Sequence, residues 1–227
     1  MKDTGRKKKF KPAGAGAFGG MAAKITGIFY SPISSMSGIA LFIIASCRFS
    51  YAIAAAGALF WVFMLSAFIN TARHGIVSKV RNKMLNVMLS SFVGGIYFFL
   101  LYMLNPLFAM ETSLVCALAP VYFIGSKFSA AFENLPADEI FSEARREPLS
   151  LGVLIMVFSL VREPLGFATI SIPGGSRGIT ELFGSPGGDF YPIQFLSSST
   201  GALILLAYVL VIFYRPGKIK KTDGESL

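Results

Sequence analysis

Cys47 and Cys116 are the only two cysteines of the 227-residue chain, and each lies inside or at the end of an apolar stretch. Two thiols could form a disulfide, bind a metal ion, or supply half of the four thiolates that hold a [2Fe–2S] cluster. A cluster would therefore need a partner subunit for its other ligands. The alternative is that both cysteines are small buried apolar residues, which composition alone favours.

Charged side chains in or beside the apolar stretches are further candidates. Arg48 follows Cys47 directly, where it could offset the negative charge of a bound cluster or simply extend to the membrane interface. Arg162 and Glu163 close another apolar stretch before Pro164, either as structural glue, as part of an ion path, or as an interfacial pair. Glu111 lies inside an apolar stretch, where it could bind a cation or proton or be solvated.

The elements that must position these residues are membrane helices. The chain is 54% hydrophobic and 15% charged with mean hydropathy +0.63, whereas a soluble domain carries about 25% charged residues. Tyr51–Ile69 and Phe195–Tyr214 contain no charge and are long enough to cross a core of about 30 Å. Because the runs are continuously apolar rather than alternating, they predict an all-α membrane protein rather than a β-barrel.

Window length predicts about six transmembrane helices in a membrane domain spanning residues 25–214, between a basic flexible leader (1–24) and a basic tail (215–227). Each half would hold three segments and begin with an irregular segment that contains one cysteine. We therefore predict an inverted three-plus-three repeat with broken helices. The loop Phe167–Gln194 is expected to be irregular, and a short surface helix is expected around Ala137–Arg146. The six segments are Ile25–Cys47, Tyr51–Ile69, Met84–Leu104, Leu107–Ile124, Leu149–Gly166 and Phe195–Tyr214.

The net charge of +9 fits this topology. Only Arg48, Arg162 and Arg177 of the 21 basic residues fall on the side opposite the N-terminus, which predicts that both termini are cytoplasmic. A nucleic-acid partner is not expected, because the basic residues flank membrane segments. No cleavable signal peptide is expected either, since no apolar core follows Lys7–Lys9 directly.

Several short stretches resemble the small membrane subunits of the Rnf and Nqr complexes. Leu160–Gly166 resembles the family's Leu-Arg-Glu-x-x-Gly pattern, and Ser199–Ala202 is similar to its Pro-Pro-Gly-Ala. Val115-Cys116 stands where the family has Asn-Cys, and Ala45–Cys47 where it has Gly-Leu-Cys. Val115 and Arg48 replace the family's asparagine and proline. Other similar stretches are Leu182-Phe183-Gly184 and Gly125–Phe132, so the resemblance covers most of Ile39–Tyr214.

The resemblance implies a six-span inverted-repeat subunit in the bacterial cytoplasmic (inner) membrane. In that family, two homologous subunits of opposite topology hold one [2Fe–2S] cluster between them, which passes electrons across the bilayer during ion-coupled oxidation of ferredoxin or NADH. Cys47 and Cys116 would be cluster ligands, Arg48 would tune the cluster, and Arg162 with Glu163 would order the fifth helix end. The match is nearest to the E-type Rnf subunit (D-type in Nqr), which is not catalytic alone and works with other complex subunits.

Two other functions remain open from the sequence. A small-solute transporter, or the substrate-binding membrane subunit of one, would use broken helices and an inverted repeat equally well. A scaffold that assembles other membrane proteins would need neither cysteine. The sequence leaves the coupling ion, Na⁺ or H⁺, and the electron donor and acceptor open.

Overall fold

The computed structural model describes residues 36–72, 79–126, 128–129, 137–174, 178–182 and 193–213. The predicted leader (1–24), the tail (215–227) and the beginning of the first predicted segment lie outside these residues. The described elements, in chain order, are α1 (Met36–Ala45), α2 (Phe49–Ala72), α3 (Lys79–Leu104), α4 (Pro106–Gly125), α5 (Ala137–Phe167), β1 (Ser171–Pro173), β2 (Ile179–Glu181), α6 (Gln194–Ser197) and α7 (Ser199–Phe213).

Within the described residues, four helices are long and apolar enough to cross a membrane. Two shorter apolar helices, Met36–Ala45 and Ser199–Tyr208, occupy the first and last predicted segments. The protein is thus a helical membrane protein, as predicted, while the six-span inverted repeat stays a prediction. The four candidate spans are Phe49–Ala72, Met84–Leu104, Pro106–Gly125 and Ile140–Phe167.

The turn between α3 and α4 follows from local sequence. The Asn105 side chain accepts a hydrogen bond from the Phe108 backbone N–H at 3.2 Å, which caps the start of α4. Pro106 occupies the first turn, where its missing N–H removes no helical hydrogen bond. The chain therefore reverses direction between two spans with a single residue outside the helices.

Helix α5 is longer than the sequence predicts. The expected surface helix around Ala137–Arg146 and the expected span Leu149–Gly166 form one continuous helix of 31 residues that contains Pro148 and Pro164. The predicted boundary at Pro148 is therefore wrong. Beside it, the Tyr122 hydroxyl donates a hydrogen bond to Glu147 Oε1 at 3.1 Å, which ties this part of α5 to α4.

Helix α2 is the centre of the packing, and it contacts α1, α3, α4, α5 and β1. Its buried face is rich in small residues, which let neighbouring helix backbones approach closely. At one level, the Phe63 ring packs against Tyr122, Phe123 and Phe128, with ring centroids 5.0–5.9 Å apart. The core thus joins α2 to α4 and the segment that follows it.

The loop predicted to be irregular contains an antiparallel β-hairpin, with Ser171 opposite Glu181 and Pro173 opposite Ile179. Gly178 has φ +85°, and a Cβ there would lie 2.8 Å from the Phe108 backbone nitrogen. Glycine thus permits both the backbone conformation and the close approach. The hairpin lies against the start of α4, and β1 contacts α2; we call this end of the bundle the hairpin end.

Gly94 and Gly95 offer a test of helix packing within α3. A Cβ at Gly94 would lie 2.6 Å from Pro120 Cγ, whereas one at Gly95 would meet nothing within 4 Å. We expect Gly94→Ala to lower the free energy of unfolding in detergent by about 1–3 kcal/mol through overpacking. The control Gly95→Ala should leave stability unchanged or raise it by up to about 1 kcal/mol. Equal effects of the two substitutions would contradict this packing.

Candidate functional site

Cys47 lies in the short turn that separates α1 from α2. The Cys47 N–H donates to the Ile44 carbonyl at 3.3 Å, and the helix resumes at Phe49. The residue is half-buried, and its Sγ lies 3.8 Å from the Ser197 carbonyl oxygen as a donor. Ser197 ends α6, immediately before a second break in the chain at Ser198. The thiol thus points from one helix break to another.

Arg162 connects the same two breaks. It is 1% exposed, and a guanidinium carries five N–H donors. In this protein it makes five hydrogen bonds of 2.8–3.1 Å, all to neutral oxygens. The acceptors are the carbonyl oxygens of Ile43, Leu196, Ser197 and Ser198 and the hydroxyl of Ser46.

This arrangement has a clear physical reason. The last carbonyls of a helix lack helical partners and carry partial negative charge, so a cation is favourable beside them. Ile43 lies in the last turn of α1, and Leu196 and Ser197 end α6. One arginine from α5 therefore satisfies the ends of two helices. We call Arg162 and its five acceptors the arginine hub.

The arginine hub also places a positive charge near Cys47. Arg162 Nη2 donates to the Ser197 carbonyl at 3.0 Å, the same oxygen that the Cys47 thiol contacts. Arg48, predicted from its position in the chain, forms an ion pair with Glu181 at 3.8 Å, and its guanidinium carbon lies 5.7 Å from the centroid of the Phe167 ring. Arg48 is therefore engaged with the hairpin end.

Cys116 has different surroundings. It lies in the middle of α4, is 3% exposed, and its thiol contacts the Thr112 hydroxyl. Thr112 in turn donates to the Phe108 carbonyl at 2.8 Å. Tyr97 of α3 interacts with Cys116 and donates its hydroxyl to the Ala54 carbonyl of α2 at 3.2 Å. Cys116 thus lies where α2, α3 and α4 meet.

Glu111 and Tyr51 connect the surroundings of the two cysteines. Glu111 is exposed on α4, and its carboxylate interacts electrostatically with Tyr51 on α2, which also interacts with Cys47. Cys116 is five positions further along α4, an axial rise of about 7.5 Å. Cys116 therefore lies further from the hairpin end than Glu111 does. Both thiols are free.

Glu163 does not pair with its neighbour Arg162, whose five donors are all used elsewhere. It is 1% exposed, and its Oε2 accepts a hydrogen bond from the Phe49 N–H at 2.7 Å. That N–H belongs to the first turn of α2, where a carboxylate is favoured by the helix dipole. The other oxygen, Oε1, has no hydrogen-bond partner in the structure. Two adjacent residues thus cap different helices.

Sequence reasoning named Arg162 and Glu163 but missed their partners. Ser46 and Ser197 carry no signal of their own, because serine is common at helix ends and in membrane segments. Their contacts with Arg162 join positions more than 30 residues apart in the chain. Among the residues that the structure describes, no three His, Cys, Asp or Glu side chains converge as metal ligands.

Comparison with protein-family models found no match to this chain, and comparison with curated proteins found none either. The resemblance to the Rnf and Nqr membrane subunits therefore remains a prediction from the quoted stretches.

Proposed function

We propose that the protein is a membrane electron-transfer subunit of an Rnf-like ion-translocating oxidoreductase complex. It would share an intramembrane [2Fe–2S] cluster with a homologous partner subunit of opposite topology. The observation that carries the proposal is the placement of Cys47: its thiol lies in a helix break and contacts a carbonyl that Arg162 also binds. A thiol in a helix break is not enclosed by the packing of a continuous helix. The buried guanidinium of Arg162 would offset the negative charge of a cluster bound beside it.

The proposal includes six spans in an inverted repeat, with α1 and α7 as parts of the two outermost spans. Both termini would be cytoplasmic in a bacterial inner membrane, which is supported by the distribution of basic residues. The subunit would depend on other subunits of the complex for flavin and nicotinamide chemistry.

The donor set fits half of a cluster. Cys47 and Cys116 are both free and supply two soft sulfur ligands, whereas a [2Fe–2S] cluster takes four. When bound, such a cluster supplies one-electron transfer. Cys47 is partly exposed, whereas Cys116 is 3% exposed and has the exposed positions Ser113 and Ala117 near it on α4. This face of α4 is where a partner chain would approach Cys116.

The chain's own residues would hold Cys47 in place and balance its charge. The arginine hub fixes the turn that carries Cys47, through Ile43 and Ser46 on one side and Ser197 on the other. The buried guanidinium would offset the negative charge of a bound cluster. Glu163 fixes the start of α2 on the other side of the turn.

A second candidate is the small-solute transporter. Two interrupted helices, α1–α2 and α6–α7, meet at Arg162, and transporters bind solutes and ions at such discontinuous helices. A transporter would bind a solute when purified alone and would not need either thiol.

The deciding experiment measures iron, acid-labile sulfide and the EPR spectrum of the reduced protein, purified gently with its native partners. We expect a [2Fe–2S] signal that is lost in both Cys47→Ser and Cys116→Ser. Ala117→Ser, which introduces the same side chain beside Cys116, should keep the signal. An intact, partner-bound sample without iron would contradict the proposal, and solute binding would then test the transporter.

A further inference from the structure

We infer that Glu163 and the oxygen atoms around it form a binding site for a dehydrated monovalent cation of the Na⁺ class. The site would lie between α5, the start of α2 and the β-hairpin. It uses neither Cys47 nor Cys116, so it stands with or without a cluster, and only its role as a site for the translocated ion rests on the proposed function.

The first observation is the unpartnered carboxylate oxygen. Glu163 is 1% exposed, and only its Oε2 has a partner, the Phe49 N–H. Burial of an ionised oxygen without a partner is strongly unfavourable. Arg162 cannot relieve this cost, because its five donors all bind neutral oxygens. A bound cation would satisfy Oε1.

The second observation is an unpartnered hydroxyl one helical turn away. Ser159 is fully buried, and its Oγ has no hydrogen-bond partner. Residues four apart on a helix lie on the same face, about 5–6 Å apart at Cβ. Ser159 and Glu163 therefore place two unsatisfied oxygen-bearing side chains on one face of α5, which is an arrangement that a coordinated cation would explain.

Pro164 adds a backbone oxygen at the same level of α5. Proline has no N–H, so the Leu160 carbonyl lacks the donor that an ordinary residue at position 164 would provide. Carbonyl oxygens released from helical hydrogen bonding are common cation ligands in membrane proteins. Leu160 lies within one turn of both Ser159 and Glu163, so its carbonyl is at their level along α5.

Two further buried hydroxyls lie beside the first turn of α2. Ser50 Oγ and Ser171 Oγ are 3.1 Å apart, and Ser171 Oγ also accepts from the Ser50 N–H at 3.3 Å. Both residues are fully buried, and Ser50 directly follows Phe49, the partner of Glu163. These hydroxyls line the α2 and hairpin side of the proposed site.

The chemistry of this group selects the ion. Its atoms are oxygens of a carboxylate, hydroxyls and a carbonyl, which suit hard cations rather than transition metals that prefer sulfur or imidazole. The site contributes one negative charge, and the charge of Arg162 is already balanced by the carbonyl oxygens that it binds. A divalent ion would leave excess buried positive charge, so a monovalent cation fits better.

The test is equilibrium binding of radioactive sodium to the purified full-length chain in detergent micelles, with Li⁺ and K⁺ as competitors. We expect saturable binding to the unaltered protein. Glu163→Gln should weaken it at least about tenfold by removing the charge, while the amide oxygen can still accept from Phe49. Ser159→Ala should weaken binding by a smaller factor. Glu143→Gln, on an exposed part of the same helix, is the matched control and should bind normally.

Three outcomes would overturn the inference. The unaltered protein could bind none of the three ions saturably, or both variants could bind sodium as well as the control does. The third is an infrared carboxylic-acid band that disappears in Glu163→Gln and is insensitive to sodium, which would mean that a proton, not a cation, neutralises Glu163. If Glu163→Gln failed to fold, Ser159→Ala and the unaltered protein would still decide.

Discussion

Replacement of Arg162 by leucine is expected to lower the free energy of unfolding by about 4 kcal/mol or more, a large effect for one substitution. Arg162 makes five hydrogen bonds of 2.8–3.1 Å while 1% exposed. Each bond to a charged donor contributes about 1.5–3 kcal/mol, although these values do not add. The substitution would remove hydrogen bonds at the end of α1 and at the end of α6 at the same time.

A buried ion pair can often be replaced by apolar residues at little cost, because both partners change together. Arg162 differs in this respect. Four of its five acceptors are backbone carbonyls, which no side-chain substitution removes. Leucine would therefore leave buried acceptors without their donor, at about 1–3 kcal/mol for each group that finds no substitute.

The measurement is unfolding in mixed detergent micelles titrated with SDS. Arg162→Lys should recover only part of the stability, since an ammonium cannot reproduce the five donors of a planar guanidinium. Arg48→Gln is the control, because its pair with Glu181 is 3.8 Å long and both side chains are partly exposed; it should cost less than about 1 kcal/mol. An Arg162→Leu protein as stable as the Arg48→Gln protein would contradict the arginine hub.

The long spans could be predicted from the sequence because their cause is local. An uninterrupted apolar run must be helical in a bilayer, where every backbone group needs an internal partner. The predicted segment Leu107–Ile124 accordingly differs from α4 by one residue at each end. Asn105 and Pro106 mark the reversal before it, since a cap and a first-turn proline act on their own neighbours.

The sequence predicts a boundary between Cys47 and Tyr51, where one apolar segment ends and the next begins, but the contacts that support this turn could not be predicted in the same way. The stretch from Ala45 to Phe49 contains neither glycine nor proline, yet α1 ends at Ala45 and α2 begins at Phe49. The hydrogen bonds that support this turn come from Arg162 and Glu163, which lie more than 100 residues away in the chain. Conversely, Pro148 suggests a boundary, but α5 continues through it.

The candidate site likewise has features that residue type predicts and features that depend on tertiary packing. Residue type identified Cys47, Cys116, Arg162 and Glu163, since thiols and charges are rare in apolar segments. Their surroundings depend on which helices pack together. Arg162 and Glu163 were predicted to act together at the end of the fifth segment, whereas the structure directs them to the ends of other helices. Only tertiary packing could reveal that Glu163 keeps an unpartnered oxygen.

Gly201→Ala is expected to destabilise the protein by about 2 kcal/mol or more through a clash with backbone atoms. A Cβ at Gly201 would overlap the Phe195 carbonyl oxygen and lie 2.8 Å from Leu196 Cα. Because these atoms belong to the backbone, no side-chain rotation can relieve the contact. Alanine favours a helix over glycine by about 1 kcal/mol, so the clash must exceed that gain.

The clash should also disturb the arginine hub. The backbone atoms that a Cβ at Gly201 would meet belong to α6, and Arg162 binds two carbonyls of the same short helix, those of Leu196 and Ser197. The same SDS titration, applied to Gly201→Ala, Arg162→Leu and the double variant, measures this coupling. We expect the double variant to lose less stability than the sum of the single variants, because each displaces the same turn. Additivity within about 0.5 kcal/mol would mean that Gly201 and Arg162 act independently.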